Sequence, residues 1–169
     1  RFELFSVPSY STGSPDVLMG AEIGSTKQEV LPGDVLLCKI VPHINRVWVV
    51  PASGPLRQIA SSEWIVLRNQ MLDPFYLRYC LSAPTFRQEF LRDLSGVGGS
   101  LTRARPQTVG KIRIPIAPLP EQQRIVSALN GHFVRIKRAK DELALLIALV
   151  EQYKRAILLK AFTGRMTTA

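Results

Sequence analysis

The chain has 169 residues, a formal net charge of +9 and 46% hydrophobic residues, with a pI near 10.1 and a mean hydropathy of +0.09. That length accommodates one ordinary domain and an extension, and the apolar content excludes a disordered chain. The longest unbroken apolar run, residues 143–150, is too short to span a bilayer, and Cys38 and Cys80 have neither a disulfide framework nor metal-ligand spacing around them, so both are expected to be buried free thiols in a reducing cytoplasm.

The first thirty residues are turn-rich and contain one short strand candidate. Leu31-Pro32-Gly33-Asp34 then marks a tight turn, and residues 35–41 read as a buried strand. Pro42-His43-Ile44-Asn45 forms a second turn, followed by a strand over residues 46–50, a loop over 51–55 and a third strand over 64–68. Asp73 suits a helix N-cap and Pro74 the first helical position, so residues 75–81 are expected to be helical. Ser82, Ala83 and Pro84 interrupt, and a second helix covers about 85–94, with Phe86, Phe90, Leu91 and Leu94 on one face. The glycines of residues 96–100 demand a loop. Residues 111–116 alternate apolar and polar as an edge strand does, with Pro115 tolerable at an edge only.

Pro118 and Pro120 stop the sheet and launch one long helix over about 121–162. Every seventh residue from Leu129 is apolar: Leu129, Ile136, Leu143, Val150 and Ile157. Phe133 and Ile147 lie on a second row, interrupted by Lys140 and Lys154. A sustained seven-residue repeat is a coiled-coil seam. At about 1.5 Å per residue the helix is on the order of 60 Å long, more than a domain of this size covers. The expected fold is therefore a mixed α/β (α+β) domain over residues 1–118, followed by a long C-terminal coiled-coil helix within 119–169. An apolar stripe of that length predicts a partner, and two copies pairing through antiparallel helices would form a symmetric dimer.

Charge directs the search for a site. Residues 1–117 carry 13 basic and 9 acidic groups, and residues 118–169 carry 9 and 4, so the excess of +4 and +5 is spread over both parts. Such a surface favours nucleic acid or an acidic partner. One candidate is the stretch from Gly98 to Arg105: its glycines permit close backbone approach, Ser100 and Thr102 offer short hydrogen-bonding groups, and Arg103 and Arg105 suit phosphate or guanine. A solvated connecting loop is the alternative. Lys111, on the expected edge strand, is either a phosphate contact or part of a solvated face. The other candidate is the turn His43, Asn45 and Arg46 with Lys39, residue types matched to adenine and guanine edges; the alternative is a turn in which Asn45 supplies geometry and His43 caps locally. Arg57 and Gln58 are a third choice, and Trp48 reads as core. His43 and His132 are far apart, no phosphate-binding glycine motif is present, and Asp34, Asp73 and Asp93 are accounted for by turns and caps. No catalytic constellation or metal cluster is expected.

The order of motifs resembles one family, the specificity (S) subunits of type I restriction–modification systems. The likeness is carried by Pro32-Gly33-Asp34-Val35-Leu36-Leu37-Cys38-Lys39, Arg46-Val47-Trp48, Asp73-Pro74-Phe75-Tyr76-Leu77 and the Gly98-Gly99 loop. Most of it lies in Ile112-Arg113-Ile114-Pro115-Ile116-Ala117-Pro118-Leu119-Pro120-Glu121-Gln122-Gln123-Arg124 and the helix exit Lys160-Ala161-Phe162-Thr163-Gly164. The resemblance implies one DNA target recognition domain and one conserved spacer helix. It makes the chain either a piece of a longer subunit or a half-subunit that dimerises, reading half of a bipartite site in double-stranded DNA. It implies modification (M) and restriction (R) subunits as partners, with S-adenosylmethionine, ATP and magnesium belonging to them and none to this chain. A coiled-coil scaffold with an incidental basic surface is the rival reading.

Overall fold

The computed structural model describes residues 1–52, 54–92 and 102–163. They form two compact units, Arg1–Val126 and Ser127–Ala169. Asp93, Leu94, the glycines of 96–100, Ser100 and Gly164 lie outside the described residues.

The first unit contains two sheets. β1 (Phe2–Phe5), β2 (Asp16–Leu18), β3 (Lys27–Glu29) and β6 (Arg57–Ser61) form a sheet of order β2-β1-β6-β3. Its central pair, β1 and β6, is parallel, with Leu4 opposite Ile59, and the outer pairs are antiparallel. β4 (Val35–Cys38), β5 (Val47–Val49) and β7 (Trp64–Leu67) form an antiparallel sheet of order β5-β4-β7.

β4 is the buried centre of the second sheet, and its alternation divides the core. Leu36 and Cys38 join Phe5, Ala60 and Trp64 on one side. Val35 and Leu37 join Val47, Ile65, Tyr76, Leu77, Phe86 and Phe90 on the other. Period-two side-chain placement thus lets one four-residue strand serve both layers. The Trp64 indole N–H donates to the Phe5 carbonyl at 2.9 Å, tying the two sheets together.

The turn into β4 closes as its sequence predicts. Gly33 adopts φ 86°, a conformation glycine enters without steric cost. Asp34 accepts from the Leu31 amide at 2.8 Å and from Arg68 through both carboxylate oxygens, at 2.8 and 2.7 Å. Burial pushes its carboxyl pKa up, but the Arg68 guanidinium and the Leu31 N–H outweigh this and hold it below the usual value.

α1 (Pro74–Ser82) begins at the expected cap: Asp73 accepts from the Phe75 and Tyr76 amides at 2.9 and 3.0 Å. α2 (Pro84–Arg92) follows, burying Phe86 and Phe90. α3 (Pro106–Val109) is a single short turn.

Three expectations require correction. The first thirty residues hold three short strands, and β6 appears where only a loop was expected nearby. Each is three to five residues long, too short to give a period by itself. The expected edge strand over 111–116 does not form: these residues take no strand or ladder conformation. Ile112, Ile114 and Ala117 still point inward against the helical layer, and the Pro115 carbonyl accepts from the Tyr76 hydroxyl at 3.1 Å. The alternation reported half-burial correctly, but the segment packs on α1 rather than along a sheet.

The last helix, α4, runs Leu119–Phe162 over 44 residues, starting two residues earlier than expected. Its first turns belong to the first unit, where Gln122 and Val126 are buried. Gln122 is only 1% exposed. Its side-chain oxygen accepts from the Asp73 amide at 2.8 Å, and its NH₂ donates to the carbonyls of Ala117 at 2.8 Å and Met71 at 3.4 Å. This glutamine therefore joins the start of α4 to the N-terminus of α1.

The second unit consists of the remainder of α4. Leu129 is half-buried, while Ile136, Leu143, Val150 and Ile157 are 49%, 58%, 63% and 38% exposed. Phe133 and Ile147 are exposed as well, as are Leu145, Leu149 and Leu159 off the seven-residue row. The apolar surface is thus wider than a two-helix seam. Among the described residues, no helix is long and apolar enough to cross a membrane.

Candidate nucleic-acid interface

β4 and β5 are joined by a hairpin whose tip spans residues 39–46. Pro42 is fully buried, and Val41 takes φ 46°, a left-handed conformation that is costly for a β-branched residue. The surrounding structure holds it there: the Val41 amide donates to the Thr102 carbonyl at 3.1 Å, and the Val41 carbonyl accepts from the Ile44 amide at 3.0 Å. The Arg87 side chain, reaching from α2, donates to the His43 carbonyl at 2.8 Å.

Residues 102–104 lie alongside the end of this hairpin. Ile40 and Arg103 form an antiparallel bridge, and the Ala104 amide donates to the Lys39 carbonyl at 2.8 Å. Residues 102–105 of one candidate stretch and residues 39–46 of the other, more than fifty residues apart, are thereby brought to one end of the three-stranded sheet. Lys39 and Arg46 are half-buried, and Arg105 is exposed at the N-cap of α3. Arg103 pairs with Glu63 at 3.4 Å, its side chain remaining 58% exposed. Arg46 approaches the Cys38 sulfur at 4.0 Å. Burial pushes the Cys38 thiol up despite that guanidinium, so it remains neutral.

Among the described residues, Asn45 Oδ1 in the tip and Glu63 Oε2 in the turn between β6 and β7 are both buried without a hydrogen-bond partner. His43 is exposed and participates through its main chain. Thr102 is half-buried and engages the hairpin through its carbonyl.

Not every candidate joins this cluster. Lys111 is exposed in the turn after α3, where it lines a shallow cleft with Glu89, Thr108, Ile112 and Arg113. Gln58 is buried in β6, donating to Glu3 at 2.9 Å and the Pro51 carbonyl at 3.5 Å, so it is structural. Arg57 pairs with Glu29 at 3.0 Å. Trp48 packs edge-on to Phe5, Tyr10 and Trp64 with ring centroids 4.9, 5.7 and 6.2 Å away, as a core residue does. His132 is exposed, 3.5 Å from Arg135. Glu63 and Arg87 were not legible as site residues. Each is a lone charge in a local context without a motif, and only the fold brings it to the tip.

Mechanically, the tip and the residues packed on it present several cations, a fixed backbone and, among the described residues, the Glu63 carboxylate. Such a surface suits phosphate contacts flanking a few base-edge contacts.

No family model matches the chain. It is 25% identical over 145 residues to the type I restriction enzyme EcoDI specificity subunit of Escherichia coli, covering 86% of this chain and 31% of that protein. The crystal structure of the HsdS subunit from Thermoanaerobacter tengcongensis superimposes with a TM-score of 0.69 at 22% identity, covering 82% of this chain and 37% of that one. A chain from work on complex assembly and conformational transition of the type I R-M system matches with the same values. The chain thus spans about a third of the length of the proteins it matches. The resemblance to specificity subunits read from the motifs is borne out over most of the chain. So is the fold, a mixed α/β domain followed by a long helix.

Proposed function

We propose that this chain is one DNA-reading unit of a type I restriction–modification specificity subunit. The tip at Lys39, Asn45, Arg46, Thr102, Arg103 and Arg105 reads one half of a bipartite site in double-stranded DNA. The apolar helix meets a second, antiparallel spacer helix, supplied by a second copy or by another part of a longer subunit. Its remaining apolar face, including Leu145, Leu149 and Leu159, docks the modification subunit. Catalysis, with S-adenosylmethionine, ATP and magnesium, resides in the modification and restriction subunits, and the complex works in the cytoplasm. The observation that carries this reading is the Ile40–Arg103 bridge, which assembles one cationic surface from two separate stretches.

The test is selection from a randomised duplex pool by the chain together with its modification subunit. A fixed half-site should be enriched, and affinity should fall steeply with salt as counterions are released. Equal recovery of all sequences with the modification subunit present would refute the reading. The scaffold alternative predicts affinity for DNA that is weak and blind to sequence.

A further inference from the structure

The three-stranded sheet ends on β5. Among the described residues, that strand pairs only with β4, on one side. The Arg46 carbonyl accepts from Cys38 and the Val50 amide donates to Asp34, at 3.0 and 2.8 Å. By the alternation of an antiparallel ladder, residues 46, 48 and 50 turn their backbone groups toward β4, and Val47 and Val49 turn theirs outward. Among the described residues, no backbone hydrogen bond outside the ladders reaches those outward groups. Native edges are ordinarily blunted by charge, by proline or by a covering element. β5 is Val-Trp-Val and has none within it.

The edge opens into a cleft of about 740 Å³. One wall is Tyr10 with the face of Trp48; the other is the N-terminal turn of α1, with Pro74, Phe75 and Arg78. The walls stand on opposite faces of the sheet, because Trp48 packs toward the first sheet while Val47 belongs to the helical-side core. A slot walled on both faces and floored by an unpaired strand edge has the shape of a missing fourth strand. Phe75 is 44% exposed in it. Among the described residues, no ion pair engages the Arg78 guanidinium, and its residue is exposed. The lining contains none of the tip cations, so the cleft and the DNA-reading tip use different side chains.

We infer that β5 is a docking edge for an extended peptide segment of a protein partner, apolar on one face and carrying a carboxylate on the other. The segment adds as a fourth strand, exchanging main-chain hydrogen bonds with Val47 and Val49. Its apolar side chains lie against Tyr10 and Trp48. Its carboxylate, one position off that face, meets Arg78 on the α1 wall, where a planar guanidinium favours two-point pairing.

The experiment uses the whole chain and three blocked heptapeptides: Ac-Ser-Val-Thr-Val-Glu-Val-Ser-NH₂, its Glu-to-Lys counterpart, and the first peptide N-methylated on alternate amides. Binding is read by calorimetry, and amide hydrogen exchange reports on Val47 and Val49. The Glu peptide should bind at least about fivefold tighter than the Lys peptide, and Arg78→Glu should invert that order. N-methylation should weaken binding by about tenfold or more, as lost strand hydrogen bonds require. The Val47 and Val49 amides should become protected only when peptide is present. Absence of binding at millimolar peptide to a folded chain would overturn the inference. So would binding indifferent to both R78E and N-methylation. Protection of Val47 and Val49 that rises with protein concentration alone would also overturn it, making the occupant a second copy.

Discussion

Replacing Gln122 tests whether the junction between the domain and its helix is held by a buried polar contact rather than by the prolines around it. The side chain is almost wholly enclosed, accepts from Asp73 and donates to Ala117, both at 2.8 Å. Its third contact, to Met71 at 3.4 Å, is long and lies beside an exposed residue, where water substitutes readily. Gln122→Met preserves volume but strands one amide and one carbonyl. At about 1–3 kcal/mol for each buried group left unsatisfied, the expected loss is about 2–6 kcal/mol. A melting-point drop of roughly 8–24 °C follows, at about 4 °C per kcal/mol for a domain of this size. Gln122→Glu sharpens the test, because it places a carboxylate oxygen against the Ala117 carbonyl where an NH₂ stood. The charged form is then disfavoured in the folded state, so the introduced carboxyl has its folded pKa raised above its unfolded value. Its penalty is full at pH 7 and diminishes as pH falls through that raised value. Urea unfolding followed by tryptophan fluorescence at pH 7 and pH 5 measures both effects. A Q122M loss below about 0.5 kcal/mol, the range of ordinary surface changes, or a Q122E penalty independent of pH, would refute the reasoning.

At the candidate interface, Arg103→Ala and Arg105→Ala should each lower the slope of log affinity against log salt by about 1 if they neutralise phosphates; fluorescence anisotropy across a salt series checks this. Asp34→Ala should cost about 1–2 kcal/mol, because it leaves the part-buried Leu31 amide and the half-exposed Arg68 guanidinium without their acceptor. The Asp34 pKa is depressed on folding, so its stabilisation is present above the unfolded value, about 3.9, and is lost as pH falls through the folded one. Acid unfolding below pH 4 should accordingly be less steep in Asp34→Asn than in the parent chain. Ile136→Asp with Leu143→Asp should convert a micromolar dimer to monomer in light scattering while leaving the domain's melting unchanged, since neither residue belongs to the first unit. A parent chain that is already monomeric at that concentration would exclude a second copy as the source of the partner helix.

Features written in adjacent residues were legible from the sequence. The Pro32-Gly33-Asp34 turn, the Asp73-Pro74 cap and the seven-residue row from Leu129 all depend on local backbone geometry or on helical period. Such rules act within one or two turns of chain, so composition and spacing suffice to state them. The Leu119-Pro120-Glu121-Gln122 junction was recognisable as a motif, but its reason was not. That Gln122 reaches back to Asp73 follows from how α1 and the start of α4 pack.

Tertiary structure alone decided the rest. The parallel pairing of β1 with β6, the merging of residues 39–46 with 102–105, and the open edge of β5 all depend on strands far apart in the chain. A three-residue strand has no period of its own and gains stability only from the neighbour it finds. Residues 111–116 alternate as an edge strand does, yet pack against α1, because alternation records which side chains are buried and not what buries them. Each local pattern could thus be read where it stood, while its partner was selected by competition among all the surfaces the chain could bury.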